Sequence, residues 1–286
     1  ENGSYAKADG DYRIVVGDAE RVETPTVTIS KVDITNGKEL PGATLEIEAL
    51  STDVNLKDVT ATNNTLKYYD VDGKEVNHTE FTDNSVIKKI TFVSSDSDTV
   101  LSNLPAGEYT LTEITAPDGY AKAETITFTV DEFGKVTGGK VVMEDAREVA
   151  VGKVDAADGE TYIAGAKLTL TGTIDTENVE AGYYDADQKW VALTDKEVRI
   201  EENSITWVSD GVRDVIIRNL ADGEYTLTEE AANAGDTITV GNKVYEILDS
   251  EFAFTITNGK VSGTEVKDEN GSYAKADGDY RIVVGD

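Results

Sequence analysis

The sequence predicts an all-β chain of short strands packed as sandwiches, and three observations carry that reading. Apolar and polar residues alternate with period two along residues 27–32, 43–47, 109–112 and 125–130, as in strands with one buried face. Turn signals separate these runs: Asn36-Gly37, Asp72-Gly73, Pro105-Ala106-Gly107, Asp118-Gly119 and Asn258-Gly259. No stretch longer than about ten residues keeps a helical period. Val, Ile, Thr and Tyr are abundant, and acidic residues are interspersed with apolar ones instead of forming blocks, which argues for a packed core over disorder.

Two repeats organise the elements. Residues 1–18, ENGSYAKADGDYRIVVGD, recur unchanged as residues 269–286. Such an identity is expected of one period, plus an overlap, from a longer tandem array. Within the period lies a diverged repeat. VTISKVDITNGKELPGATLEIEA from position 27 matches VAVGKVDAADGETYIAGAKLTLTG from position 149. YYDVDGKEV (68–76) matches YYDADQKWV (183–191), and ITFVSSDSDTVLSNLPAGEYTLTE matches ITWVSDGVRDVIIRNLADGEYTLTE. KVVMEDAREV (140–149) aligns with RIVVGDAERV (13–22) and so with RIVVGD at 281–286. The predicted organisation is two homologous sandwiches, 22–148 and 149–286, with 1–21 as the last strand of a preceding copy. No Gly/Ser- or Pro-rich linker lies between Asp145 and Lys153, which favours a stiff rod.

Composition removes most chemistries. The chain has 286 residues and a net charge of −30, which disfavours nucleic acid and anionic membrane surfaces as partners. It has no cysteine and a single histidine, His78, which excludes thiol chemistry and leaves no basis for a His triad or multi-His metal site. No apolar run reaches the ~20 residues of a membrane helix. No cofactor is implied, and turnover catalysis is the least expected function.

The informative residues are charges at inward positions. In a strand, residues i, i+2 and i+4 share a face. Val27, Ile29 and Lys31 share one, as do Val149, Val151 and Lys153. Tyr109, Leu111 and Glu113 match Tyr225, Leu227 and Glu229; Val141, Met143 and Asp145 match Ile282, Val284 and Asp286. Each charge has two plain readings: a strand end that reaches solvent, or a buried ion triad. A third reading is chemical. Desolvation favours the neutral forms of amines and carboxyls, so a buried lysine beside a buried aspartic acid is a nucleophile facing an electrophile. A glutamic acid between them can polarise the carbonyl and relay protons as water leaves, giving an isopeptide bond.

The first-strand lysine followed by GKELPGATLEI, then LPAGEYTLTEITAPDGY, ITFTVDEFGKV and VVMED, resembles the Cna protein B-type (CnaB) domain of Gram-positive surface adhesins and pilins. The second half departs from it: AANAGD replaces TAPDGY, an extra segment near 264–280 precedes the last strand, and Glu230 follows Glu229. The resemblance implies two tandem Greek-key sandwiches of the Ig-like or prealbumin-like kind. It further implies that Lys31 bonds Asp145 with help from Glu113, and Lys153 bonds Asp286 with help from Glu229. Asp18 is then an unpaired copy of the last-strand acceptor. The implied role is a wall-anchored extracellular stalk whose partners are neighbouring repeats of the same chain, with any host ligand bound by another region.

The competing reading is a module that binds a host matrix protein or glycan, with an exposed Trp190 beside Tyr183 and Tyr184 as a stacking platform for sugar. Asp70-Val71-Asp72-Gly73 and Ser95-Asp96-Ser97-Asp98 are acidic enough for calcium, but they lack EF-hand spacing and read as turns. His78 reads as a solvated loop residue, and Phe92 and Trp207 as core.

Overall fold

The computed structural model describes residues 25–286 except Ala234 and Asp236, and within residues 1–24 only the strands β1 (Tyr5–Ala8) and β2 (Ile14–Gly17). Strands β3 (Thr26–Asp33), β4 (Thr44–Ala49), β5 (Thr60–Ala61), β6 (Lys67–Asp70), β7 (Glu75–Val76), β8 (Ile87–Val93), β9 (Thr99–Ser102), β10 (Gly107–Thr115), β11 (Ile126–Val130) and β12 (Val141–Asp145) follow. They form sheets ordered β12-β3-β9-β5 and β11-β10-β4-β8-β6-β7. Their inner faces share one core: Val27, Ile29, Leu101 and Met143 from the first sheet, and Leu45, Ile47, Phe92, Tyr109 and Leu111 from the second. Each such aliphatic or aromatic side chain contributes about 1.5–3 kcal/mol by leaving water. Alternation is plain in β4, whose apolar residues are buried while the intervening Thr44, Glu46 and Glu48 are only partly so.

A second set repeats the plan: β13 (Glu148–Val154), β14 (Ala164–Thr171), β15 (Glu180–Tyr184), β16 (Trp190–Ala192), β17 (Val198–Glu201), β18 (Ser204–Asp210), β19 (Val215–Arg218), β20 (Gly223–Ala231), β21 (Thr237–Val240), β22 (Lys243–Glu246), β23 (Phe252–Thr257), β24 (Lys260–Gly263), β25 (Val266–Lys267), β26 (Tyr273–Ala276) and β27 (Arg281–Gly285). The sheets run β16-β15-β19-β13-β27-β26-β25 and β17-β18-β14-β20-β23-β24, with β21–β22 a separate hairpin. A separate core, including Val151, Leu168, Trp207, Leu227, Phe254 and Val284, lies between them. Among the described residues the sole helical turn is a 3-10 turn at His78–Glu80, and no helix is long and apolar enough to cross a membrane.

Two features position the site. The first and last strands of each set pair in parallel, Ile29 opposite Val141 and Lys31 opposite Met143, then Val151 opposite Ile282 and Lys153 opposite Val284. An aspartate two residues beyond Met143 or Val284 therefore sits at the same offset from its lysine in both sandwiches. Tyr109 and Tyr225 brace the opposite sheet: each stacks on a phenylalanine, Phe128 at 5.3 Å and Phe254 at 5.5 Å. Each also donates its hydroxyl to a main-chain oxygen four residues back, at Pro105 and Ala221.

The structure revises two sequence-level expectations. The motif 68–76 forms β6–β7 beside β8, whereas 183–191 forms β15–β16 beside β19, in the other sheet. The two motifs share a turn and not a place in the fold: Asp70 Oδ1 accepts the Asp72 and Lys74 N–H groups, and Asp185 Oδ1 those of Asp187 and Lys189. Residues 1–21, expected as one strand, contain two. β1 pairs β2 with Tyr5 opposite Gly17, the register that Tyr273 and Gly285 keep in β26–β27. Asp18 lies outside the described residues.

Candidate functional site

All six inward charges predicted on described residues are brought together, as two triads. In the first, Lys31 on β3, Glu113 on β10 and Asp145 at the end of β12 meet across the sandwich, with exposures of 1%, 0% and 0%. Lys31 Nζ lies 3.2 Å from Glu113 Oε1 and contacts Asp145 Oδ1 directly. In the second, Lys153 Nζ lies 2.9 Å from Glu229 Oε1 and contacts Asp286 Oδ1. The strand-end reading fails for every member, because none of these side chains reaches solvent.

The glutamates are held alike. Glu113 Oε2 accepts the Ala123 N–H at 2.6 Å, and Glu229 Oε2 the Leu248 N–H at 3.3 Å. Both donors come from the chain that enters the strand paired with the glutamate's own, β11 beside β10 or β23 beside β20. One aspartate oxygen of each triad faces the amine, while Asp145 Oδ2 and Asp286 Oδ2 are buried and accept no hydrogen bond. Burial pushes the Asp145 carboxyl up to about 7; Lys31 opposes the rise and Glu113 adds to it. Asp286 is pushed up to about 7 by the same cause, with Lys153 opposing and Glu229 reinforcing. Near neutral pH each aspartate is thus partly in its acid form and in direct contact with a lysine Nζ, the arrangement an amide condensation starts from.

Other predicted residues are placed differently. Phe92 and Trp207 are core, as expected. Trp190 is half-buried, with the Arg218 guanidinium 3.6 Å from its ring centre and Tyr184 edge-on at 5.6 Å. One ring face is therefore occupied, because Arg218 reaches over it from β19 to bond Glu148. His78 is exposed but stacks on Tyr68 at 5.2 Å.

Sequence reasoning missed a fourth buried charge beside each triad. Two residues after each lysine stands a buried aspartate, Asp33 or Asp155. Asp33 Oδ2 accepts Tyr120 Oη at 3.0 Å and Arg147 Nε at 2.6 Å; Asp155 Oδ2 accepts Tyr245 Oη at 3.1 Å and Lys243 Nζ at 2.7 Å. Arg147, one of two residues between β12 and β13, also donates to Asp222 Oδ1 at 2.5 Å and so ties the two sandwiches together. The signal was the repeated Lys-Val-Asp at 31–33 and 153–155.

Residues 25–145 match the family model described as the SpaA prealbumin-like fold domain. A search of curated proteins finds no match. Among solved structures, the chain is similar to the Bacillus anthracis TIE protein at 21% identity and TM-score 0.23, covering 86% of this chain and 36% of that one. It is similar to the shaft pilin SpaA from Lactobacillus rhamnosus GG at 14% identity and TM-score 0.26, covering 92% and 98%. A Streptococcal ancillary pilin matches at 18% identity and TM-score 0.28, covering 85% and 61%. The chain thus spans little more than a third of the Bacillus structure.

Proposed function

We propose that this chain is a stalk segment of a Gram-positive cell-surface adhesin or pilus-like protein. In this reading it comprises two Greek-key sandwiches, 22–148 and 149–286, arranged as a rod, each closing an autocatalytic Lys–Asp isopeptide bond. The observation that carries it is the assembly of the same buried triad twice, on parallel first and last strands, in two halves that have diverged at most other positions. The family match over 25–145 supports the surface-protein setting.

In each triad the proton balance closes without a co-reactant. The glutamate carboxylate takes a proton from the lysine ammonium, and the neutral Nζ attacks the protonated aspartic acid at Cγ. The resulting tetrahedral centre loses a hydroxyl, which leaves as water with a proton relayed by the glutamic acid; the second amine proton then passes to the glutamate, which ends as the neutral acid. The products are a neutral amide and one water, and two buried charges disappear. The ligand-binding alternative finds no such constellation to rest on, since one face of Trp190 is already covered by Arg218.

Intact mass under denaturing conditions tests the proposal. The expected mass is that of the sequence less two waters, and Lys31→Ala, Glu113→Ala or Asp145→Ala should each restore one. A wild-type mass equal to that of the sequence would overturn it.

A further inference from the structure

We propose that Tyr120 and Tyr245 are positioning residues for the Lys–Asp condensation: each hydroxyl, bonded to Asp33 or Asp155, sets the backbone N–H that aims the triad glutamate. The inference rests on the amide-forming reading above and adds a residue to it. The path is short in both sandwiches. Tyr120 stands three residues before Ala123, and Tyr245 three before Leu248, the two residues whose N–H groups hold Glu113 and Glu229. The aspartates that receive the tyrosines stand two residues past Lys31 and Lys153, Asp33 as the last residue of β3 and Asp155 directly after β13. Each Tyr–Asp bond therefore ties the strand carrying the nucleophile to the segment orienting the glutamate.

The two halves reach this tie by different chain paths and give its aspartate different cations. The segment before Tyr120 is a short loop, whereas Tyr245 lies on β22 of the hairpin β21–β22. The cation on the aspartate is Arg147 in one case and Lys243 in the other, from unrelated positions. The tyrosine hydroxyl, the aspartate and the N–H three residues on are common, as is the turn in which each aspartate's Oδ1 accepts the N–H two residues on, at Thr35 and Ala157. In the first sandwich the same segment is pinned once more, by the Ala121 N–H on the Ala146 carbonyl, beside Asp145. With Oε2 of Glu113 fixed by Ala123, its Oε1 is left 3.2 Å from Lys31 Nζ, where a proton acceptor is needed. Losing the tie leaves Lys31 and Asp145 in place but frees the glutamate to turn. Misplacement of a catalytic group by about 1 Å costs up to roughly a hundredfold in rate.

The experiment follows water loss with time after a short pulse of cell-free synthesis, with cross-linked tryptic peptides assigning each loss to a sandwich. Tyr120→Phe keeps the ring and should slow closure of the first sandwich by roughly tenfold to a hundredfold, leaving the second at its wild-type rate. Asp33→Ala should match it. Asp33→Asn keeps an oxygen for the tyrosine hydroxyl and should restore most of the rate, which a general loss of stability would not do. Tyr245→Phe should give the mirror result, and circular dichroism checks that each variant is folded. Wild-type closure rates in both tyrosine variants would overturn the positioning role while leaving the amide reading intact. So would Asp33→Asn as slow as Asp33→Ala. A wild type that loses no water would remove both.

Discussion

Glu113→Gln separates the covalent bond from the burial of the triad, because it keeps the side-chain volume and leaves Lys31 facing Asp145. The magnitude follows from the loop the bond closes. Lys31 and Asp145 stand 114 positions apart. Cross-linking a loop of that length lowers the entropy of the unfolded chain by an amount worth about 5 kcal/mol at room temperature on the chain-entropy model. The ion pair left in the variant offers no substitute, since it breaks on unfolding and constrains nothing there. At about 3–5 °C per kcal/mol for a unit of this size, the first sandwich should melt roughly 15–25 °C lower. Intact mass and calorimetry together make the assay. The variant should have lost one water where wild type loses two, with one transition moved down and the other unmoved. A variant that still lost two waters would refute the role given to Glu113, and an equal fall of both transitions would refute separate cross-links.

Three further outcomes are expected. Arg147→Ala leaves Asp33 buried without its guanidinium and should cost about 3 kcal/mol, while Arg147→Lys should recover only part of it, because an ammonium cannot fork between Asp33 and Asp222; thermal melts check both. The form with a neutral amine and two carboxylic acids carries as many protons as the one with ammonium, glutamate and aspartic acid. The rate of water loss should therefore be level below the Asp145 value of about 7 and drop to about a tenth one pH unit above it; a rate climbing steadily through that range would contradict this. Pulled from its two ends, wild type should release no length from the first sandwich, whereas Glu113→Gln should release roughly 380 Å in one step, measured by force spectroscopy.

The triads were legible in the sequence because a strand with one buried face forces every second residue inward. Lys31, Glu113 and Asp145 stand in register with Val27, Tyr109 and Val141, and the second half repeats the coincidence. Sheet membership was less legible. The motifs YYDVDGKEV and YYDADQKWV encode the same turn through Asp70 and Asp185, but a turn fixes only its own hairpin, and which strand the hairpin joins is decided by distant packing. The tie between Tyr120 and Asp33 spans 87 positions, and Asp33 alone reads as a turn former, since its other oxygen does accept the Thr35 N–H. The occupied face of Trp190 was hidden for a similar reason: nothing in a strand's period announces that Arg218 will cover it.

The topology gives the proposed bond its mechanical meaning. In the first sandwich, tension entering at the start of β3 travels along that strand to Lys31 and meets the last strand at Asp145, from which the chain leaves. Without a bond, the load passes through hydrogen bonds between β3 and β12, and these strands run parallel, so the load shears their whole ladder. With a bond, force crosses at one covalent link, and everything between positions 31 and 145 is bypassed. The chain then runs through Ala146 and Arg147 into β13, where a Lys153–Asp286 bond would repeat the crossing. A flexible linker at the junction would let successive units swing and stretch before the links took up load. Arg147, bonded to Asp33 on one side and Asp222 on the other, fills that place with a buried ion pair instead. On the proposed function, the short junction and the first-to-last cross-link act together, so that tension passes along the chain without paying out length.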